Sequence, residues 1–274
     1  MSRPEILLER LERVGAALRD SGHALALIGL GSVGLERERL DAHSDLDFFA
    51  IVEPGHKARY IDRLDWLAQA HPLAWHFRNT VDGHKALMAD GVFCEFAVFE
   101  PRELEVIPFA PGRVVWRREG VDEAIAQPRR PVPDARLPDE TWIVGEALGN
   151  LFVGLQRWLR GERLVAARLV QVHALDRLIE LDALRHAPQA DSAADPFNRE
   201  RRIERRQPSM LEDLPEVMAG YARTPQAALA VLDALARRGA QLDAAMTARI
   251  RALAAQALTA PSGSPAASPG TPAR

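Results

Sequence analysis

The sequence predicts an α/β (α+β) domain with a small mixed sheet, followed by an all-α helical-bundle domain. Three observations carry this expectation. Between residues 24 and 116 short apolar runs alternate with Gly, Pro, Asp and Asn turn signals. The stretch QPRRPVPDARLP at 127–138 then interrupts all periodicity. Beyond it, Ala, Leu and Arg recur at helical spacing almost to the end. The expected divisions are therefore 1–126 for the α/β domain, 127–138 for a proline-rich linker, 139–258 for the helical domain and 259–274 for a disordered tail.

Residues 4–21 place Ile6, Leu7, Leu11, Val14 and Leu18 on one helical face, and Ser21-Gly22 ends that helix. ALALIGLG at 24–31 is a continuous apolar run closing on glycine, which suits a buried strand. DLDFFAIVE at 45–53 reads as a second strand whose first residues are polar, and 57–71 as a helix stopped by Pro72. LAWHF, HKALMA, VFCEFAVF, LEVIPF and RVVW follow as β-like runs between 73 and 116. Helices are expected at 139–160, 162–186, roughly 208–222 and 225–257, with a polar stretch at 188–207. The tail APSGSPAASPGTPAR has no apolar periodicity.

Composition bounds the function. In 274 residues, 47 % are apolar and 27 % charged, which suits a folded globular chain with sizeable cores. The net charge of −3 gives no broad basic field, so nucleic acid is not an expected partner. Cys94 is the single cysteine, which excludes an intramolecular disulfide or a multi-thiolate zinc site. No run of eighteen apolar residues occurs and the first residues lack a secretory h-region, so no membrane partner and a cytoplasmic location are expected.

The chemically informative segment is LIGLGSVGLERERLDAHSDLDFFAIV at 27–52. Asp45 and Asp47, at i and i+2 of a strand, project from one face while Leu46 packs on the other. Adjacent carboxylates repel, and a hard divalent ion such as Mg²⁺ supplies the missing counter-charge. Gly31 and Ser32 allow a phosphate chain to approach backbone amides and a hydroxyl. Glu95 is the single carboxylate inside the apolar run VFCEFAVF, an expensive place for an unpaired charge. If its strand lies beside that of Asp45 and Asp47, three acids converge as two-metal phosphoryl or nucleotidyl transfer requires.

Gly-Ser after a strand, a loop of about a dozen residues, Ser-Asp-Leu-Asp opening a second strand and a later strand acid together resemble the DNA polymerase β-type nucleotidyltransferase superfamily. With a helical second half, the chain is similar to the bacterial aminoglycoside and lincosamide nucleotidyltransferases. The resemblance covers 24–100 by motif and 139–257 by architecture. It implies Asp45, Asp47 and Glu95 as metal ligands, Glu95 doubling as ligand or general base. It sets Gly31 and Ser32 against the triphosphate, with Ser44 bracing the loop. The loop GLERERLDAH is longer than in many relatives, leaving Arg37 and Arg39 as alternatives for phosphate contact. The third acid is Glu where many relatives carry Asp.

The implied activity is an AMP transfer from ATP, or from another nucleoside triphosphate, to a hydroxyl of a small-molecule acceptor, with release of pyrophosphate. An antibiotic acceptor, and so a role in antibiotic resistance, is one expectation. Protein or RNA nucleotidyl transfer on the same fold, and a nucleotide-binding regulator or toxin–antitoxin component, are the alternatives. The chain is expected as a monomer or homodimer, with its site in the cleft between the domains.

The remaining polar residues divide between function and surface. Lys85 is either a cleft residue, if its strand neighbours Glu95, or an exposed hairpin lysine. His43 reads as a surface-loop histidine beside Ser44. His76 and Arg78 share one solvated strand face, alternating with Trp75 and Phe77. Arg201, Arg202, Arg205 and Arg206 lie a helical turn apart, as a solvated face paired with Glu200 and Glu204 or as a triphosphate clamp. Trp142, Phe152 and Trp158 fall at helical spacing and read as core.

Overall fold

The computed structural model describes residues 2–130, 136–186, 195 and 197–259. The chain divides into two compact units, 1–134 and 135–274. The first holds a mixed six-stranded sheet with helices and the second is helical, which is the fold class the sequence predicts. The expected tail and the middle of the linker, 131–135, lie outside the described residues.

In the first unit α1 (Arg3–Asp20) opens on a capping box: Ser2 precedes it and the Glu5 carboxylate accepts the Ser2 amide at 2.8 Å. Six strands follow: β1 (Ala24–Gly29), β2 (Leu46–Val52), β3 (Leu73–Arg78), β4 (Gly83–Met88), β5 (Phe93–Phe99) and β6 (Arg113–Arg117). Their order in the sheet is β3-β4-β5-β2-β1-β6. β2 and β5 pair in parallel and every other neighbouring pair is antiparallel.

The expected helix at 57–71 is two short helices, α2 (Lys57–Asp62) and α3 (Asp65–Ala70). The chain turns at Arg63-Leu64, and Tyr60 and Trp66 both become buried. The LEVIPF run is not a strand. It begins in a turn over Glu103–Glu105, and its apolar residues Leu104, Ile107 and Phe109 cap the sheet instead of joining it. Apolarity there reports burial against a face, which a period count cannot tell from a strand.

The sheet has two apolar faces with different covers. Leu27, Phe48, Ala50, Val52, Ala86, Cys94, Phe96 and Val98 pack under α1, α2 and α3. On the other face Ala26, Ile28, Phe49, Ile51, Ala97 and Phe99 meet Leu104, Phe109 and Ala126, which arrive with the chain after β5. Phe49 sits edge-on to Phe99 and Phe109, with centroids 5.0 and 5.6 Å away. That second cover stops short of the N-terminal end of β2, and the sheet face beyond it is open.

The second unit contains α4 (Glu140–Leu159), α5 (Arg163–Arg168), a wide π-type stretch (Leu169–Ala174) running into α6 (Leu175–Arg185), α7 (Ile203–Arg206), α8 (Ser209–Val217), α9 (Thr224–Arg237) and α10 (Ala244–Thr259). Asp139 caps α4 by accepting the Trp142 amide at 3.0 Å. The expected 225–257 helix breaks at Arg238-Gly239, where Gly239 takes φ +72°. Arg238 is 7 % exposed and bridges Asp182 at 2.7 Å and Asp213 at 2.6 Å, tying α6, α8 and the end of α9 together. Phe152 and Trp158 pack against this core as expected, whereas Trp142 is 45 % exposed and takes the Arg177 guanidinium over its ring.

Candidate active site

Asp47 stands at the start of β2, and the parallel register sets it directly opposite Glu95 of β5. Partners in register share a sheet face. The β4–β5 register sets Lys85 opposite Glu95, and β3–β4 sets Phe77 opposite Lys85. Asp47, Glu95, Lys85 and Phe77 therefore form one row across four strands. Asp45 immediately precedes β2, two residues before Asp47. The row lies just beyond the apolar cover on that face, which is why its polar members reach solvent.

Within the row Lys85 Nζ lies 3.3 Å from Glu95 Oε2, both side chains being about half exposed. The Asn79 side-chain amide donates to Glu95 Oε1 at 3.4 Å. Glu95 is thus held by two neighbours on its β4 side. Asp47 and Glu95 share a face, but the oxygens of Asp45, Asp47 and Glu95 are not drawn within 4.8 Å of one another. On the buried face Cys94 lies between this row and α1, and burial raises its thiol pKa to about 12. That thiol stays protonated and unreactive at neutral pH.

The Gly31–Ser32 loop approaches from the β1 side. Leu30 N–H extends the strand pairing by donating to the Asp47 carbonyl at 2.8 Å. Gly31 then turns with φ +50°, and a Cβ there would lie 3.8 Å from Asp47 Oδ2. Gly34 closes the turn by donating to the carbonyls of Leu30 and Gly31, both at 3.0 Å. A Cβ on Gly34 would lie 2.5 Å from the Gly29 oxygen and under 3.0 Å from two Leu30 backbone atoms. The amides of Gly31 and Ser32 open this short turn beside Asp47. Backbone N–H donors at a glycine turn beside a carboxylate form a place where a phosphate and a cation can sit together.

The other residues singled out from sequence divide sharply. Ser44 braces the loop: its hydroxyl accepts the Asp41 amide at 3.0 Å and donates to Asp41 Oδ1 at 3.2 Å. The His43 amide donates to the same carboxylate and, with Ser44, holds its pKa below the usual range. Arg39 forms an ion pair with Glu36 inside the loop. Arg37 is exposed and lies close enough to Arg113 for the two charges to repel.

His76 and Arg78 are exposed as expected, but so are Trp75 and Phe77. The arginine run does not form one helical face. Its helix spans only Ile203–Arg206, Arg202 takes φ 63°, Arg199 pairs with Glu180 and Arg201 with Asp195.

Asn79 and Arg113 escaped the sequence reading. Asn79 sits in a turn, and only the β3–β4–β5 register brings it to Glu95. Arg113 opens β6, and its guanidinium donates to the Val33 carbonyl at 3.3 Å, clamping the far side of the glycine loop. Burial, then the charge of Arg37, lowers its pKa from the usual arginine value.

The opposite end of β1 and β2 holds a second polar group. His23, Glu53 and His56 bring ligand-type atoms within 4.8 Å of one another. The two imidazoles are stacked, 3.6 Å apart and 11° from parallel. Lone pairs lying in parallel planes do not converge on one ion. Glu53 already accepts from His23 at 2.7 Å and pairs with Arg118, and those bonds lower its pKa. The group is a hydrogen-bonded clasp across the sheet end.

No protein family and no curated protein matches the chain. A solved structure described as an aminoglycoside 6-adenyltransferase from Bacillus subtilis aligns with 92 % of this chain and 99 % of that one, at 12 % identity and a TM-score of 0.36. A likeness of that strength decides nothing about activity. The functional reading rests on the site's own residues.

Proposed function

We propose that the chain is a metal-dependent nucleotidyltransferase that moves a nucleoside monophosphate, AMP from ATP, to a hydroxyl of a small-molecule acceptor. The observation that carries this reading is the parallel pairing of Asp47 with Glu95, with Asp45 just before the strand and the Gly31–Ser32 turn beside Asp47. Oxygen donors of this kind fit a hard divalent cation, and Asp45, Asp47 and Glu95 are the residues that would hold it. When bound, such a cation neutralises triphosphate charge.

The chain's own groups then have distinct tasks. The Gly31 and Ser32 amides and the Ser32 hydroxyl receive the departing phosphates. Glu95, fixed by Lys85 and Asn79, accepts the proton of the acceptor hydroxyl. That oxygen forms a bond to the α-phosphorus while the bond from the α-phosphorus to the bridging oxygen breaks, and pyrophosphate leaves. Arg113 and Ser44 touch none of these atoms; they hold the two ends of the loop that carries the donors.

A thermal-shift panel of ATP, GTP, CTP and UTP, each with and without Mg²⁺, tests the proposal. A Mg²⁺-dependent rise in melting temperature with ATP, absent in Asp47→Asn, is expected. The reading is wrong if no triphosphate shifts the protein or if Asp47→Asn shifts as the parent does.

A further inference from the structure

The row of acids does not end at Lys85. It continues onto β3, an outer strand of the sheet, where Phe77 stands in register with Lys85 and Trp75 with Leu87. A register shift between Leu73 and Trp75 turns the strand over at Ala74. Leu73 therefore packs into the helix-covered core, while Trp75 and Phe77 join the face that carries the acids. Their rings lie 6.2 Å apart, 27° from parallel, and are 48 % and 54 % exposed. Two large aromatics left open side by side on a functional face are costly unless something covers them.

The chemistry of the row says what that is. The glycine loop approaches Asp47 from β1, so triphosphate lies on the β1 side of the acids. Glu95 touches Lys85 and Asn79 on its β4 side. A hydroxyl giving its proton to Glu95 belongs to a molecule whose body extends over β4 and β3. Strands are about 4.8 Å apart, so Phe77 stands roughly 10 Å from Glu95 across the sheet. On β3 and β4 this face offers Trp75, Phe77, Leu87 and Lys85, with no carboxylate.

We propose that Trp75 and Phe77 are an acceptor-binding platform. It takes a small molecule carrying a flat apolar ring roughly 10 Å from the hydroxyl that is modified. Lys85, the charged group of this face on β3 and β4, is paired with Glu95, so stacking on the two rings is the contact that selects the acceptor. The proposal rests on the nucleotidyltransferase reading for the direction of the acceptor, and on the register alone for the existence of the platform.

Saturation-transfer NMR on the full chain tests it, with 4-nitrophenyl β-D-glucoside as the ring-bearing probe, methyl β-D-glucoside as the ringless one and kanamycin as the polycation. The variants are Trp75→Ala/Phe77→Ala and Trp75→Phe; the sites are exposed, and thermal melts confirm folding. The aryl glucoside is expected to receive saturation at its ring protons, to bind roughly tenfold more weakly to the double alanine variant, and to bind normally to Trp75→Phe. The methyl glucoside and kanamycin are expected to show no dependence on the pair.

Absent or variant-independent binding of the aryl glucoside overturns the platform. A loss of the Mg·ATP thermal shift in the double variant does so too, since the pair would then serve the nucleotide. A fall in oligomeric mass would make it a subunit contact instead. If the parent protein binds the aryl glucoside through the pair but never responds to Mg·ATP, the platform stands and the transferase reading falls.

Discussion

Gly34→Ala isolates the loop that the proposed chemistry depends on. The added methyl would stand 2.5 Å from the Gly29 oxygen and 2.8 and 2.9 Å from backbone atoms of Leu30. None of these is the end of a flexible side chain, so the loop backbone itself must move. Overpacking of this kind costs about 1–3 kcal/mol, and a loss of that size is expected.

Gly145→Ala is the matched control, because its Cβ meets nothing within 4 Å inside α4. That substitution is expected to gain about 0.5–1 kcal/mol, the ordinary helix preference for alanine. Urea unfolding, followed separately for the two units, measures both. The Mg·ATP thermal shift of Gly34→Ala measures whether displacing the Gly31–Ser32 amides abolishes binding. A Gly34→Ala protein as stable as the parent, with its ATP response intact, would refute the loop geometry and its role together.

Three further outcomes follow from the packing and charge. Arg238→Ala leaves Asp182, 0 % exposed, with the Ser209 hydroxyl and Asp213, 8 % exposed, with Arg237, and a loss of about 3 kcal/mol is expected by urea unfolding. Asp90 is held below the usual aspartate pKa because the Arg10 and Val92 bonds outweigh burial, which acts the other way. Its folded pKa is below the unfolded one, so its contribution is present above about pH 4 and lost as pH falls through the folded value. The stability difference between the parent and Asp90→Asn is therefore expected to shrink below about pH 4 in acid titrations of unfolding. Lys85→Met removes a half-exposed pair, so stability is expected to stay within about 0.5 kcal/mol by urea unfolding, while pyrophosphate release falls about tenfold as Glu95 loses its anchor.

Much of this was legible before any coordinates. Asp47 takes its face from a strand period of two, and Gly31-Ser32 follows an apolar run that suits a buried strand. The partnership of Asp47 with Glu95 was conditional on a pairing between segments almost fifty residues apart, which no local pattern encodes. The same limit hid Asn79 and Arg113, whose importance comes entirely from neighbours on other strands.

Alternation along LAWHFR suggested that one face of β3 was solvated. It missed that an outer strand can be open on both, and that a shift at Ala74 moves Trp75 to the side of the acids. LEVIPF misled for a related reason: its apolar residues cover the sheet, and apolarity does not distinguish a cover from a strand. The arginine run failed as a helical face because Arg202 adopts a left-handed backbone, which side-chain spacing does not reveal.

The account turns on Asp47 and Glu95 acting on a triphosphate together. Pyrophosphate release from Mg·ATP, measured with a hydroxyl acceptor for the parent, Asp47→Asn and Glu95→Gln at matched folding stability, tests this most directly. A fall of roughly a thousandfold in both variants is predicted, with the melting temperature unchanged. Release that survives either substitution within a few-fold would contradict the assignment of the paired strands as the active site.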